Sequence, residues 1–316
     1  MTEKITWQSA ATNTALKQRA QFLRDIRGFF ESRNVCEVDT PVLMQGVNTD
    51  PFIDAFNVAD RYLQTSPEFA MKRLLAQGIG SIYYLGKAFR NEEMGRYHNP
   101  EFTMLEWYRP GWDHQALIEE VNALFMQLLD TPKAQIRSYA QLFESIEVNP
   151  HQADVATLKE AALRLQLAEV PFSDLDRNGW LDWLFSQAIE PTMDPDELLI
   201  VTDFPVHCAQ LAKLIPHPIH DKVAARFEVF YKGMELANGY FELSDPNEQR
   251  KRFVEDNQKR HAHQLSMMPV DEKLLAALSV GIGDVSGVAV GVDRLLMIKL
   301  GASHIKEVLP FYWEYS

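Results

Sequence analysis

Cysteine is close to absent. Cys36 and Cys208 are the only two among 316 residues and stand far apart, which excludes a disulfide framework and suits a reducing cytosol. Long apolar runs are missing as well: no stretch approaches about 18 uninterrupted apolar residues, so no membrane span is expected. The segment from Met1 to Gln8 is polar and mixed in charge, without the apolar core of a secretory signal, and a cytoplasmic location is expected. Positive charge is in deficit. With 31 Lys and Arg against 44 Asp and Glu, the formal net charge is −13. A protein that grips nucleic acid commonly shows a basic face or run. Here Arg250, Lys251 and Arg252, and the pair Lys259–Arg260, fall on a polar helix, where a solvated face is the simpler reading. Acidity argues against a nucleic-acid partner without excluding tRNA, because charge can segregate on folding.

Several signatures of chemistry are missing too. There is no GxGxxG dinucleotide fingerprint, no Walker phosphate loop, no GxSxG and no HExxH. His217-x-x-His220 beside Asp221 has metal-like spacing, but Pro216 and Pro218 favour a loop. Trp180 and Trp183 read most simply as core. No internal repeat, low-complexity tract or Gly/Ser linker divides the chain, so one domain over residues 1–316 is expected.

What is present is an ordinary soluble composition, 46% hydrophobic and 24% charged. Residues 14–33 carry Leu16, Phe22, Leu23, Ile26, Phe29 and Phe30 at helical spacing, and Val35–Val38 reads as a short strand ended by Thr40–Pro41. Pro67 can open a helix with Phe69, Leu74 and Leu75 on one face. Ile82–Phe89 and Phe102–Arg109 form a hairpin around the polar loop Asn91–Pro100. Helices are predicted over 113–130, 155–167, 178–190 and from Pro246 to about Gln264. Leu198–Val201 is an apolar strand. Arg226–Tyr231 is another, and Asn238–Gly239 is predicted to turn the chain into Tyr240–Leu243. Val285–Val292 is a strand running into a helix at Asp293–Leu300. Together these predict an α+β fold with a mainly antiparallel sheet flanked by helices.

Three constellations could carry chemistry. Arg90 and Glu92 end a strand at a polar loop, where an arginine can grip a phosphate with two donors, or simply form an exposed ion pair. Glu228, Glu235 and Glu242 recur every seven residues, and the expected turn at Asn238–Gly239 would bring Glu235 towards Glu242. Carboxylates gathered on one face repel unless cations neutralise them, magnesium or an ammonium ligand being two solutions and plain solvent exposure a third. Gly287, Ala289 and Gly291 line one face of a strand that ends at Asp293–Arg294, leaving room for a flat ligand or for close strand–helix packing. Arg294 could stack over an aromatic base.

In this order and context the three resemble motifs of the class II aminoacyl-tRNA synthetases. Residues of about 29–43 resemble motif 1, the dimer-forming helix and strand. Residues 84–110, with Phe89-Arg90-Asn91-Glu92 and Asn99-Pro100-Glu101-Phe102, resemble motif 2, and 286–300 resemble motif 3. Thr65-Ser66-Pro67-Glu68, His98-Asn99-Pro100-Glu101-Phe102-Thr103 and Glu235-Leu236-Ala237-Asn238-Gly239 are similar to lysyl-tRNA synthetase segments. The resemblance implies catalytic roles for Arg90, on the α-phosphate of ATP, and Arg294. It implies ATP binding by Asn91, Glu92, Asn99, Phe102, Glu235, Leu236 and Gly291, with Phe102 and Arg294 sandwiching the adenine. Glu228 and Glu235 would hold Mg2+. Ser66, Pro67, Glu68, Glu106, Tyr108, Glu242 and Ala289 would bind the amino acid, the acids facing its ammonium groups.

Two departures refine the resemblance. Motif 1 begins after only about a dozen residues, so no anticodon-binding domain is expected, and the middle glycine of motif 3 is Ala289. Both are similar to the short lysyl-tRNA synthetase paralogues that modify translation elongation factor P. Glu92-Glu93-Met94-Gly95-Arg96-Tyr97-His98 is close to that family's motif 2. Membership implies that ATP activates (R)-β-lysine, with ordinary lysine as the alternative, and that the aminoacyl group passes to a lysine of the factor. It also implies a homodimer and no tRNA substrate. A tRNA-charging enzyme without an anticodon domain, a non-catalytic regulator of synthetase descent, and an ammonia-dependent amide synthetase remain the competing readings.

Overall fold

The computed structural model describes residues 7–91, 93–167 and 175–315. In chain order its helices and strands are α1 (Asn13–Glu31), β1 (Cys36–Glu37), β2 (Leu43–Met44), β3 (Asn57–Val58), β4 (Arg61–Leu63), α2 (Glu68–Ala76), β5 (Ile82–Phe89) and β6 (Glu101–Pro110). There follow α3 (His114–Leu129), β7 (Gln135–Ser138), α4 (Tyr139–Phe143), α5 (Val155–Arg164), α6 (Arg177–Leu184), β8 (Leu199–Thr202), β9 (Leu214–His217) and β10 (Asp221–Ala224). The last are β11 (Arg226–Tyr231), β12 (Met234–Phe241), α7 (Pro246–Ala262), α8 (Glu272–Val280), β13 (Val285–Gly291) and α9 (Val292–Leu300). They gather into two compact units, one joining the chain up to Thr131 to the chain from Ser244 onward, the other being Pro132–Leu243. Among the described residues no helix is long and apolar enough to cross a membrane.

In the first unit the strand order is β1-β5-β6-β13, with β1 parallel to β5 and the other pairs antiparallel. Helix α1 starts at Thr12, whose hydroxyl accepts from the Ala15 amide, a conventional N-cap. Its apolar stripe buries Phe22, Ile26, Phe29 and Phe30. Phe30 stacks on Tyr83 of β5 and meets Trp107 of β6 edge-on, which docks the helix onto the sheet. Arg19 lies on the same stripe and is buried. It donates to Asp293 at 2.6 Å and to the Thr103 hydroxyl at 2.6 Å, while Asp293 also accepts from the Thr103 amide at 2.7 Å. One buried ion pair therefore ties α1, β6 and the start of α9 together. Helix α8, absent from the sequence expectations, is capped by Asp271 and buries Leu274, Leu275 and Leu278.

In the second unit the order is β12-β11-β8-β7, with β7 parallel to β8 and the rest antiparallel. Tyr139, Phe143, Phe185, Phe204 and Phe230 sit in its core with Leu181, Leu184 and Val201. The mixed, mainly antiparallel sheets with helices flanking them agree with the α+β expectation. His217 and His220 lie at the end of β9 and in the short connection to β10, which makes a hairpin of the expected loop.

The expected turn at Asn238–Gly239 is not there. β12 runs straight through both residues, and the hairpin turns at Lys232–Gly233, where φ is 52° and 69°. Two consecutive left-handed residues make the two-residue turn that matches strand twist. Gly239 is glycine for another reason: a Cβ there would lie 2.3 Å from Cζ of Phe227, its partner across β11. The ring of Phe227 occupies the space a side chain would need.

Candidate active site

Beyond β5, the motif 2 loop carries Arg90. Its guanidinium lies 3.6 Å from Glu93 and 5.3 Å from the Phe102 ring centroid. Its Nε is buried and meets no acceptor among the described residues. A buried donor without an acceptor is costly, and an anionic ligand oxygen could accept from it. Arg294, in the first turn of α9, donates from Nε to the Tyr97 carbonyl at 3.3 Å and contacts His98 through its other end. The atoms nearest to a Cβ built on Gly291 belong to the Arg294 side chain, at 3.6–3.9 Å, so the glycine lies directly against that arginine.

Asn91 and Asn99 are engaged with the protein. Asn91 donates to the Asp54 carboxylate at 3.0 Å. Asn99 donates to the Glu101 carbonyl at 2.6 Å and accepts from the Trp313 amide at 3.0 Å. Both amides therefore hold the loop in shape. Glu92, assigned to ATP by resemblance, lies outside the described residues. Behind the loop stands Arg260, which the sequence reading left on a solvated face. It is 0% exposed, donates to the carbonyls of Asp50 and Ile53, and reaches Asp54 at 3.1 Å. Arg260 fixes Asp54, and Asp54 fixes Asn91. A basic dipeptide on a polar helix gave no sign of this, because burial there depends on the distant Asp50–Asp54 segment.

The same unit holds a buried acidic cluster. Phe102, Met104, Glu106 and Tyr108 alternate onto one face of β6, and Gly287, Ala289 and Gly291 of β13 pair with Tyr108, Glu106 and Met104. Ala289 is thus the cross-strand neighbour of Glu106. The Glu106 carboxylate accepts from Ser66 at 2.7 Å and from Tyr108 at 2.6 Å. Pro67 caps α2 with Glu68 next to it, and Glu68 is paired to Lys72 at 2.6 Å. Lys72 is fully buried and was not foreseen from the sequence, which placed only Phe69, Leu74 and Leu75 on the packed face. Burial and the charge of Glu68 push the Glu106 carboxyl up to about 7, against the opposing hydrogen bonds from Tyr108 and Ser66 and the charge of Lys72. This carboxylate lacks enough positive charge. An ammonium group would supply it.

In the second unit a β-bulge decides the geometry. The register pairs Glu228 with Asn238 and Phe230 with Glu235, so Leu236 is the extra residue on β12. The bulge puts Glu228, Glu235 and Asn238 on one face. Glu228 is buried against Arg226, and burial pushes its carboxyl up to about 7, with Arg226 opposing and Glu235 adding to the rise. Asn238 reaches Glu228 at 3.4 Å through Nδ2, while its buried Oδ1 has no hydrogen-bond partner among the described residues. Two carboxylates and an amide oxygen on one face are the hard oxygen donors that magnesium takes. Leu236 is buried. Glu242 follows β12, buried and bridged to Ala212, so no turn folds it back on Glu235.

The strand pairs, the motif 2 loop and helix α9, with Arg294 in its first turn, define the catalytic architecture of a class II synthetase. A family model described as tRNA synthetases class II (D, K and N) matches residues 3–313. At 46% identity over 98% of each chain, the protein is similar to elongation factor P–(R)-β-lysine ligases of Klebsiella pneumoniae and of Enterobacter sp. strain 638. It is 45% identical, with the same coverage, to the ligase of that name from Salmonella paratyphi B. The chain belongs to the elongation factor P–(R)-β-lysine ligase family within the class II tRNA synthetases.

Proposed function

We propose that the chain activates (R)-β-lysine with ATP and transfers it to the ε-amine of a specific lysine of elongation factor P. The observation that carries this reading is Glu106, a buried carboxylate short of positive charge beside Ser66, Tyr108 and Ala289. Such a group rejects an uncharged side chain, because the carboxylate would stay unpaired, and favours a doubly cationic amino acid. In the first step the amino acid carboxylate attacks the α-phosphorus, the bond to pyrophosphate breaks and an aminoacyl-adenylate forms. In the second, the neutral ε-amine of the acceptor attacks the carbonyl carbon, AMP leaves and the nitrogen loses a proton. Arg90 and Arg294 would hold the phosphate and the adenine, aligning two anions for in-line attack. Glu228 and Glu235 would hold Mg2+, which offsets negative charge on the departing pyrophosphate.

The exposed edge strand β1 and helix α1 support a homodimer through motif 1. A single 316-residue catalytic domain working in the cytoplasm, without tRNA, completes the proposal. The test is to incubate the protein with ATP, Mg2+, (R)-β-lysine and purified elongation factor P, then weigh the factor by intact-mass spectrometry. One added lysyl increment is expected. Label appearing on tRNA instead, with the factor unchanged, overturns the assignment.

A further inference from the structure

The second unit carries a second group of donors that the ligase chemistry does not use. Asp182 stands on α6, and His207 and Cys208 form the short 3-10 turn Val206–Cys208 after β8. The Cys208 Sγ lies 3.2 Å from His207 Nε2, and that same nitrogen lies 3.4 Å from Asp182 Oδ1. All three donor atoms fall within 4.8 Å of one another, the one such His/Cys/Asp/Glu group among the described residues. Tetrahedral zinc, with bonds of about 2.3 Å to sulfur and about 2.0–2.2 Å to nitrogen or oxygen, spaces its ligands about 3.3–3.6 Å apart. The Nε2–Oδ1 spacing of 3.4 Å falls in that range, the Sγ–Nε2 spacing of 3.2 Å is just below it, and sulfur and carboxylate stand within 4.8 Å.

We propose that Asp182, His207 and Cys208 form a binding site for a thiophilic divalent cation of the zinc type.

The arrangement differs from a catalytic relay, in which the two imidazole nitrogens serve different partners. Here thiol and carboxylate converge on one nitrogen, and Nδ1 of His207 is buried without a partner among the described residues. If Nε2 carries the proton, two acceptors share it. If it does not, nitrogen and carboxylate face each other as two acceptors. A cation at the centre satisfies all three donors at once. Burial pushes the Cys208 thiol well above its ordinary range, so the metal-free thiol keeps its proton. Binding exchanges that proton for the cation: the S–H bond breaks, the S–metal bond forms, and one proton goes to solvent. Thiolate, carboxylate and a divalent cation sum to zero charge with neutral His207, which suits a half-buried place. Asp182 is 55% exposed at its side chain, leaving a fourth position open to water on that side. Sulfur and nitrogen donors separate this site from the oxygen donors of Glu228 and Glu235. The Cys208 carbonyl also accepts from Arg226 at 2.8 Å, and Arg226 pairs with Glu228, so a cation would stiffen the turn behind that carboxylate.

The test uses chelator-stripped full-length protein in a Cys36→Ser background, so that Cys208 is the sole thiol, with Co2+ as the probe. A thiolate-to-cobalt absorption saturating at one equivalent is expected, displaced by Zn2+ and accompanied by release of one proton. Asp182→Asn and His207→Gln should each weaken Co2+ binding by about tenfold or more. Cys208→Ser should abolish the band. Circular dichroism and thermal unfolding report whether each variant is folded, and Asp182→Asn, exposed in the native chain, keeps the test decisive if the buried cysteine variant is not. A folded Cys36→Ser protein without the band overturns the site, as does unchanged affinity in folded Asp182→Asn and His207→Gln.

Discussion

Glu106 sits where two requirements conflict. The proposed role calls for its negative charge to hold an ammonium group, while burial and Glu68 disfavour that charge until about pH 7. Ionisation is therefore gained as pH rises through about 7, and the KM for (R)-β-lysine in pyrophosphate exchange is expected to fall over the same range. Glu106→Gln should raise KM and flatten the profile. The stability consequence has the opposite sign. A carboxyl raised on folding binds its proton more tightly in the native state, so its contribution is full at low pH and is lost as pH climbs from its ordinary value through about 7. Thermal unfolding of Glu106→Gln should accordingly vary less with pH across that window than the parent does. At Ala289 the expectation concerns choice of substrate. A methyl beside Glu106 can shift discrimination by about 1–3 kcal/mol. Ala289→Gly should raise kcat/KM for ordinary lysine relative to (R)-β-lysine, and equal ratios in parent and variant would remove Ala289 from any role in selection.

Among the elements, α1 is held to the sheet by its aromatic stripe and by Arg19. Removing Arg19 leaves Asp293 charged and buried, so Arg19→Met is expected to cost about 3–5 kcal/mol in urea unfolding. The helix itself was legible: its spacing of apolar residues, the motif 2 hairpin and the strand leading to Arg294 all stand where periodicity put them. The β11–β12 hairpin was misread because Asn-Gly is the strongest local turn signal, and here it is overridden by a ring packed across the strands. That explanation is testable. Gly239→Ala should destabilise by about 1–3 kcal/mol through overpacking, and Phe227→Leu in the same chain should recover part of the loss. Arg260 was illegible for a related reason: its burial depends on Asp50 and Asp54, far away in the chain, whereas Lys72 has its partner Glu68 one turn earlier on α2, a local pair that apolar spacing alone does not register.

For the whole molecule, the residues proposed for binding fall in two groups. Arg90, Arg294 and Glu106 belong to the first unit, and the acidic face of Glu228 and Glu235 belongs to the second. Substitutions in the two should therefore fail differently. Arg294→Ala is expected to lower pyrophosphate exchange by about 10²-fold with little change in unfolding temperature. Glu235→Gln should instead raise the Mg2+ concentration needed for half-maximal exchange, and the same activity at every Mg2+ concentration would separate Glu235 from the metal. The order of motifs was readable because it survives in linear sequence. The parity of the acidic strand was not, since it rests on one unpaired residue that only the register reveals.

That residue makes the acidic face a matter of odd and even. Seven positions separate Glu228 from Glu235 and three separate Glu235 from Asn238, odd steps that an unbroken ladder would send to opposite sides. Were the ladder to run unbroken, with Leu236 drawn opposite Phe230, Glu235 would face the other side while every charge in the chain stayed intact. A chain slipped in that way would keep its composition, its isoelectric point and its strand, and lose only the shared side on which Glu228 and Glu235 could meet a cation.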